Sequence, residues 1–295
     1  MRSDGPSRTA QFIAISVVLA GSHPALRNVL PPAAGTETAR YLRAVDGWTV
    51  TAMRLASLFP PSLKTTLIGE IPPQALAHPV LRKLWIEDHV RSLLGERSQV
   101  VVLGAGFDTL APRLHEEYPN VHFWEVDHPA TQRVKRRGVG ASSNLTLLAA
   151  DFAERSPMTV LTEQDTFDPD ANTVVTAEGL LMYLAADEVE ALLQGIHDHT
   201  GPESHLVGTA VDPRYPGASG SDPSANEVPG RWLKSMGEPW TWAVEPDEFT
   251  GVLSRKGLTV VDIDQMSDLR DRYLPNRPEL TVPAVEYCFD AKQGA

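Results

Sequence analysis

The sequence predicts an α/β fold in which a mostly parallel sheet binds a nucleotide at the carboxyl ends of its leading strands. Three observations carry this reading. Gln99–Leu103 is a β-branched apolar run with three consecutive valines, suited to a parallel strand covered on both faces. It runs into Gly104, Ala105 and Gly106, a tight turn that leaves backbone amides facing a ligand, and then into a helix start at Asp108 and Thr109. A second strand over residues 121–126 ends in Asp127, about 20 residues beyond the glycines, where such folds place the carboxylate that holds a ribose.

The turn also bears on which nucleotide is bound. A dinucleotide site wants a third glycine for close helix–strand packing, and that position here is Thr109. Asp108 lies within the turn, where its charge would oppose a pyrophosphate. A cationic or zwitterionic ligand such as S-adenosylmethionine tolerates it. Asp108 as a plain helix cap is an equal alternative.

The elements follow in order. Residues 7–94 carry helical apolar spacing broken by prolines at 24, 31–32, 60–61, 72–73 and 79, which implies several short helices over the cleft, the last spanning 80–94. The run FIAISVVLA at 12–20 is too short to span a bilayer, is flanked by Asp4 as well as arginines, and reads as a buried helix starting near Ser7. Residues 130–137 form a helix with Lys135, Arg136 and Arg137 near its negative end. Strands follow at 145–150, 173–177 and 205–211, with an amphipathic helix at 187–199. His197 and His199 do not share a helix face and no third ligand accompanies them, so no metal site is expected. Pro213–Pro239 is rich in Gly, Ser, Pro and Asn and reads as a lid, with Trp232, Trp240 and Trp242 in or beside it to meet an acceptor or to anchor the lid. A helix at 246–256 and strands at 260–263 and 282–289 complete the sheet. Cys288, the single cysteine, sits in an alternating apolar segment and reads as core.

Composition excludes some partners. Thirty-eight acidic residues against 26 basic ones give a formal charge of −12, a surface that repels nucleic acid and anionic membranes. A small-molecule acceptor and a reducing, cytoplasmic setting are expected, and a homodimer stays open.

Three motifs in order, LGAGFDT at 103–109, EVDHPAT at 125–131 and TAEGLLMYL at 176–184, resemble the leucine carboxyl methyltransferase family, whose bacterial members include O-methyltransferases of polyketide and other secondary-metabolite pathways. The resemblance extends from about Pro79 to Ile196, and Leu110 departs from it, since bacterial relatives often carry arginine there. It implies a class I methyltransferase fold: a Rossmann-like, seven-stranded, mostly parallel sheet whose last two strands pair antiparallel, with an N-terminal helical cap over 1–94, a core over 95–295 and a lid insertion near 212–245. It implies S-adenosylmethionine as cofactor. Arg82 would meet its carboxylate, Gly104, Ala105 and Gly106 its backbone-facing side, Asp127 its ribose, and Asp151 with Phe152 its adenine. An ion pair of Arg82 with Glu87 or Asp88, and a capping role for Asp151, are the plainer alternatives.

Glu178, delivered by the fourth strand to the mouth of the cleft, would hold the cofactor's amino group or orient a substrate. A carboxylate acceptor is ionised at neutral pH and needs no base, whereas a phenol carries a deprotonation penalty of about 4 kcal/mol that a base would relieve. Glu178 and His128 are the candidate bases, with His128 also readable as a structural turn, and Tyr183, which follows Glu178 closely, is a further catalytic candidate or a core residue whose hydroxyl seeks a partner. The expected function is an S-adenosylmethionine-dependent O-methyltransferase acting on a small carboxylate or phenol. An NAD-dependent oxidoreductase and a non-catalytic cofactor-binding protein are the alternatives.

Overall fold

The computed structural model describes residues 5–31, 33–45, 71, 73–96, 99–215 and 237–294. A seven-stranded sheet with order β3-β2-β1-β4-β5-β7-β6 forms its centre. The strands are β1 (Gln99–Leu103), β2 (His122–Asp127), β3 (Leu145–Ala149), β4 (Thr173–Ala177), β5 (His205–Val211), β6 (Leu258–Gln265) and β7 (Glu286–Gln293). The first five run parallel, and β7 pairs antiparallel with both β5 and β6. The strand order reverses between β1 and β4, and that switch point fixes where a ligand binds.

The valine run explains β1. Its five residues are all buried, and their side chains alternate: Val100 and Val102 join one core layer, Val101 and Leu103 the other. Each fully buried valine contributes about 1.5–3 kcal/mol. The first layer is covered by α1 (Arg8–Ala20), α3 (Gln74–Leu93), α4 (Leu110–Glu117) and α9 (Met266–Tyr273), which send residues such as Val17, Leu81, Trp85, Leu114 and Leu269 into it. The second layer is covered by α6 (Pro157–Thr162), α7 (Ala186–Asp198) and α8 (Pro246–Arg255). Between them in sequence lie α2 (Ala34–Leu42), packed beside α1, and α5 (Pro129–Lys135).

Several boundaries differ from the sequence reading, each for a physical reason. Pro79 does not start a new helix; it lies inside α3, which begins at Gln74. A proline there removes one helical hydrogen bond, and the burial of Leu76, Ala77, Val80 and Leu81 on the sheet offsets that loss. The last strand begins at Glu286, not 282, because Pro283 has no amide to give the ladder, and it extends to Gln293 because β5 supplies partners as far as Lys292. Strand β6 is longer than 260–263 at both ends. Helices α6 and α9 were not expected; both are short, and α6 follows a turn whereas α9 continues directly from β6. The expected lid lies mostly outside the described residues, Trp232 included, whereas Trp240 and Trp242 are described. Trp242 packs edge-on against Phe249 with ring centroids 5.5 Å apart. Cys288 is fully buried in β7, as expected.

Lys135 lies in the last turn of α5, as the sequence predicts, and it has a partner that the sequence did not reveal. Its ammonium is fully buried, 2.8 Å from Glu125 Oε1 on β2, and stands 5.7 Å from the centre of the Tyr41 ring. Glu125 Oε2 has no partner, and burial pushes the Glu125 carboxyl up to about 7 against the pull of Lys135. Lys135→Met should therefore cost about 3–5 kcal/mol, because it strands a buried carboxylate. Its folded-state pKa would then rise further, so the deficit should shrink as the pH falls through that pKa towards the ordinary carboxylate value of about 4.3, where both states are protonated. Urea unfolding at alkaline and acidic pH measures both effects.

Candidate active site

The sequence places its candidate residues far apart, and the fold lines them along one cavity of about 500 Å³ at the switch point between β1 and β4. Arg82, Gly104, Ala105, Gly106, Asp127, His128, Asp151, Phe152, Glu178 and Tyr183 all face it. Helix α1 forms its roof. Glu238, within the expected lid stretch, receives the Ser7 hydroxyl at 2.9 Å and the Arg8 and Thr9 amides at 3.0 Å each, so its carboxylate caps the helix from a distant part of the chain.

The glycine turn is held from within. Gly106 has φ +48°, and a Cβ there would stand 3.3 Å from Ala10 of the roof, so both backbone geometry and the closeness of α1 favour glycine. The Gly106 amide donates to Asp127 Oδ2, and the His128 amide donates to Oδ1 at 2.5 Å. Burial raises the Asp127 carboxyl, and these two amides together with Lys135 oppose the rise. Each carboxylate oxygen can accept twice, so Asp127 keeps acceptor capacity on the cavity side while its amide bonds fix it in place.

At the mouth of the cleft five charged groups form one buried array. Arg82 donates from Nε to Glu178 Oε1 at 2.9 Å and from Nη1 to Glu286 at 2.8 and 3.2 Å. Lys83 donates to Asp108 Oδ1 at 2.7 Å and to Glu178 Oε2 at 3.2 Å. Arg82 lies against Gly179, where a Cβ would sit 3.4 Å from both terminal nitrogens. Burial works to raise the Asp108 carboxyl, yet Lys83 and, farther off, Lys135 hold it well below the usual carboxylate range. Burial likewise works against the charge of Glu286, and Arg82 and His78 bring it below its ordinary value. Asp108 thus neither caps α4 through its side chain nor stands free: it is an ion-pair partner. The proposed surface pairing of Arg82 does not occur, since Glu87 instead meets Arg91 and Arg113, and Asp88 meets the Tyr273 hydroxyl.

The remaining candidates are more constrained. Nδ1 of His128 accepts the Ala130 amide at 3.3 Å and caps α5, and Nε2 stands 3.4 Å from Asp151 Oδ2. Asp151 accepts the Ala153 amide at 3.1 Å and is about one-third exposed, and Phe152 is half-buried beside it. Sequence reasoning missed Lys83, Glu286 and His78, which also line the cavity. The adjacency of Lys83 to Arg82 was a readable signal; Glu286 and His78 gave none. His197 pairs with its neighbour Asp198 at 3.1 Å, and the described residues hold no cluster fit for a metal ion.

A seven-stranded sheet with one antiparallel strand and an acid at the end of β2 defines a class I methyltransferase fold. The family model for leucine carboxyl methyltransferase matches residues 36–197, more than half of the chain, and the chain belongs to that family of S-adenosylmethionine-dependent enzymes. YktD of Bacillus subtilis, whose name gives S-adenosyl-L-methionine-dependent methyltransferase as an inferred activity, is 27% identical over 198 residues, covering 65% of this chain and 63% of that protein. Leucine carboxyl methyltransferase 1 of Eremothecium gossypii is 33% identical over 125 residues, 35% of this chain and 38% of that protein. The chain thus spans less than two thirds of either relative. A solved structure from Thermobifida fusca, described as an inferred methyltransferase, superimposes with a TM-score of 0.58 over 94% of this chain and 97% of that one, at 20% identity, a likeness of fold.

The residues fit the family's donor. Asp127 offers acceptor sites to ribose hydroxyls, the glycine turn admits close approach of a backbone-facing group, and the excess of carboxylates over cations suits a sulfonium. Asp127→Asn turns an amide NH₂ towards a backbone N–H, so it should cost about 1–3 kcal/mol in stability. It should also lower S-adenosylmethionine affinity by at least roughly tenfold, the equivalent of one charge-assisted hydrogen bond. Thermal unfolding and calorimetry on the same preparation separate the two losses.

Proposed function

We propose that the protein transfers the methyl group of S-adenosylmethionine to an oxygen of a small molecule, a carboxylate or phenol of the kind found in secondary metabolism. The carrying observation is the roofed cavity whose lining joins the glycine turn, Asp127 and the Arg82 array to the apolar cluster of Met182, Tyr215 and Trp240. The size suits a cofactor together with a small acceptor.

When bound, the donor supplies an activated methyl group on a cationic sulfur. The chain's own residues then bind, orient and exclude water. In this reading Asp127 holds the ribose, and Asp151 and Phe152 meet the adenine where β3 ends. Arg82 faces the donor's carboxylate. Glu178 already accepts from both Arg82 and Lys83, and it acts by keeping those cations in place and by facing the donor's amino group. Orientation of this kind can remove roughly 7–11 kcal/mol of barrier. His128, with both nitrogens engaged, serves as a cap for α5 and a support for Asp151 in preference to acting as a base. Tyr183 lines the acceptor end.

Calorimetry with S-adenosylmethionine, S-adenosylhomocysteine and NAD tests the reading. One equivalent of each of the first two should bind and NAD should not; retention of NAD without binding of the sulfonium nucleoside would overturn it. Glu178→Gln leaves Lys83 with Asp108 alone and weakens the hold on Arg82. It should reduce donor affinity or turnover by roughly tenfold or more, the loss of one charged hydrogen bond. An unchanged rate and affinity would make Glu178 a bystander.

A further inference from the structure

Among the described residues, the cavity-lining His78 carries a buried Nε2 with no hydrogen-bond partner. The cavity-lining Thr9 and Trp240 gather on the Tyr183 hydroxyl. Buried polar atoms in folded proteins are paired with few exceptions, so an unmet imidazole nitrogen on the same cavity as this polar trio marks a surface that meets the polar atoms of a ligand. These side chains differ in character. Trp240 Nε1–H can only donate, the Thr9 hydroxyl can donate or accept, and an imidazole can take a proton. Tyr183 lies with Thr9 and Trp240. Burial pushes its phenol up to about 12 against the pull of those two neighbours, so it remains a protonated donor.

His78 stands one turn before Arg82 on α3. Burial holds its imidazole below the ordinary value, Arg82 acts in the same sense, and Glu286 opposes both. It is therefore neutral at pH 7 and able to accept a proton. Nε2 lies 4.0 Å from Glu286 Oε2, and Arg82 grips that carboxylate, so a negative charge is fixed beside the ring to steady an imidazolium. The electrostatics also select the acceptor. Glu286 lines the cavity, Glu238 lies on the first turn of its roof, and Arg82 and Lys83 each already bridge two carboxylates. With Arg82 facing the donor's carboxylate, an anionic acceptor finds like charges and, among the described residues that line the cavity, no uncommitted cation; a neutral hydroxyl compound meets neither problem.

We propose that this surface is the acceptor subsite and takes a neutral aromatic hydroxyl compound, with His78 receiving the hydroxyl proton and Thr9, Tyr183 and Trp240 holding a second oxygen. This rests on the methyl-transfer reading and narrows its acceptor to the phenol class. His78 takes the proton as the hydroxyl oxygen bonds to the methyl carbon. The carbon–sulfur bond breaks, its electron pair stays on sulfur as a neutral thioether, and the proton remains on the imidazolium beside Glu286 until solvent takes it.

Calorimetry with S-adenosylhomocysteine comes first, followed by addition of naphthol or naphthoate to that complex and by methyl-transfer assays. Naphthol should bind the complex and naphthoate should not. His78→Gln should keep its affinity for S-adenosylhomocysteine and lose roughly a hundredfold in naphthol methylation, the usual weight of a positioned base. Added imidazole should restore part of that rate, which a merely structural role for His78 would not allow. A stronger response to naphthoate, binding of neither compound, or no rescue by imidazole would overturn the proposal. Failure of S-adenosylhomocysteine itself to bind would instead undo the donor reading beneath it.

Discussion

Two adjacent cations on one helix hold the mouth of this protein's cleft together. Arg82 and Lys83, on α3, reach Glu178 at the end of β4, Glu286 at the start of β7 and Asp108 in the glycine turn after β1. Separate parts of the sheet are thereby tied to the cap through side chains that are almost wholly withdrawn from water. Burying such groups is costly unless every one is paired, and here each cation serves two carboxylates. Three carboxylates against two cations leave one negative charge in excess. That excess is compatible with a cationic donor and unfavourable to a pyrophosphate, which connects the folding of the cleft with its choice of ligand.

The roof shows the same economy. Helix α1 covers the glycine turn so closely that Gly106 has little room for a side chain. What keeps it there is Glu238, whose carboxylate receives two amides and a hydroxyl from the first turn of the helix. Two residues later the chain places Trp240 on the cavity, and Thr241 is fastened to the carbonyls of Met182 and Leu184. One capping interaction thus sets Thr9 and Trp240 on the same wall. Access to the cavity and the shape of its acceptor end are linked through that contact.

Much of the architecture was legible because it depends on local pattern. The valine run, the glycine turn and the strand ending in Asp127 each announce themselves within a few residues, and their parallel registers follow from a sheet buried on both faces. The positions of Arg82 and Glu178 were legible through motif; their mutual ion pair, between residues 96 apart, was not. Glu286 was hidden because its partner lies 204 residues away and its own segment reads as an ordinary amphipathic strand. The place of Lys135 in the last turn of α5 was legible, whereas its ion pair was not, because only the fold brings Glu125 beneath it. Pro79 was read as a break because a local rule was applied where sheet packing decides the outcome.

The central claim is that a sulfonium nucleoside lies across the ends of β1 to β4 with its ribose on Asp127. A crystal structure of the complex with S-adenosylhomocysteine tests it most directly. The account predicts both ribose hydroxyls within hydrogen-bond distance of Asp127, the adenine beside Phe152, and the methionine carboxylate facing Arg82. A nucleoside bound elsewhere, or turned so that its ribose avoids Asp127, would contradict it.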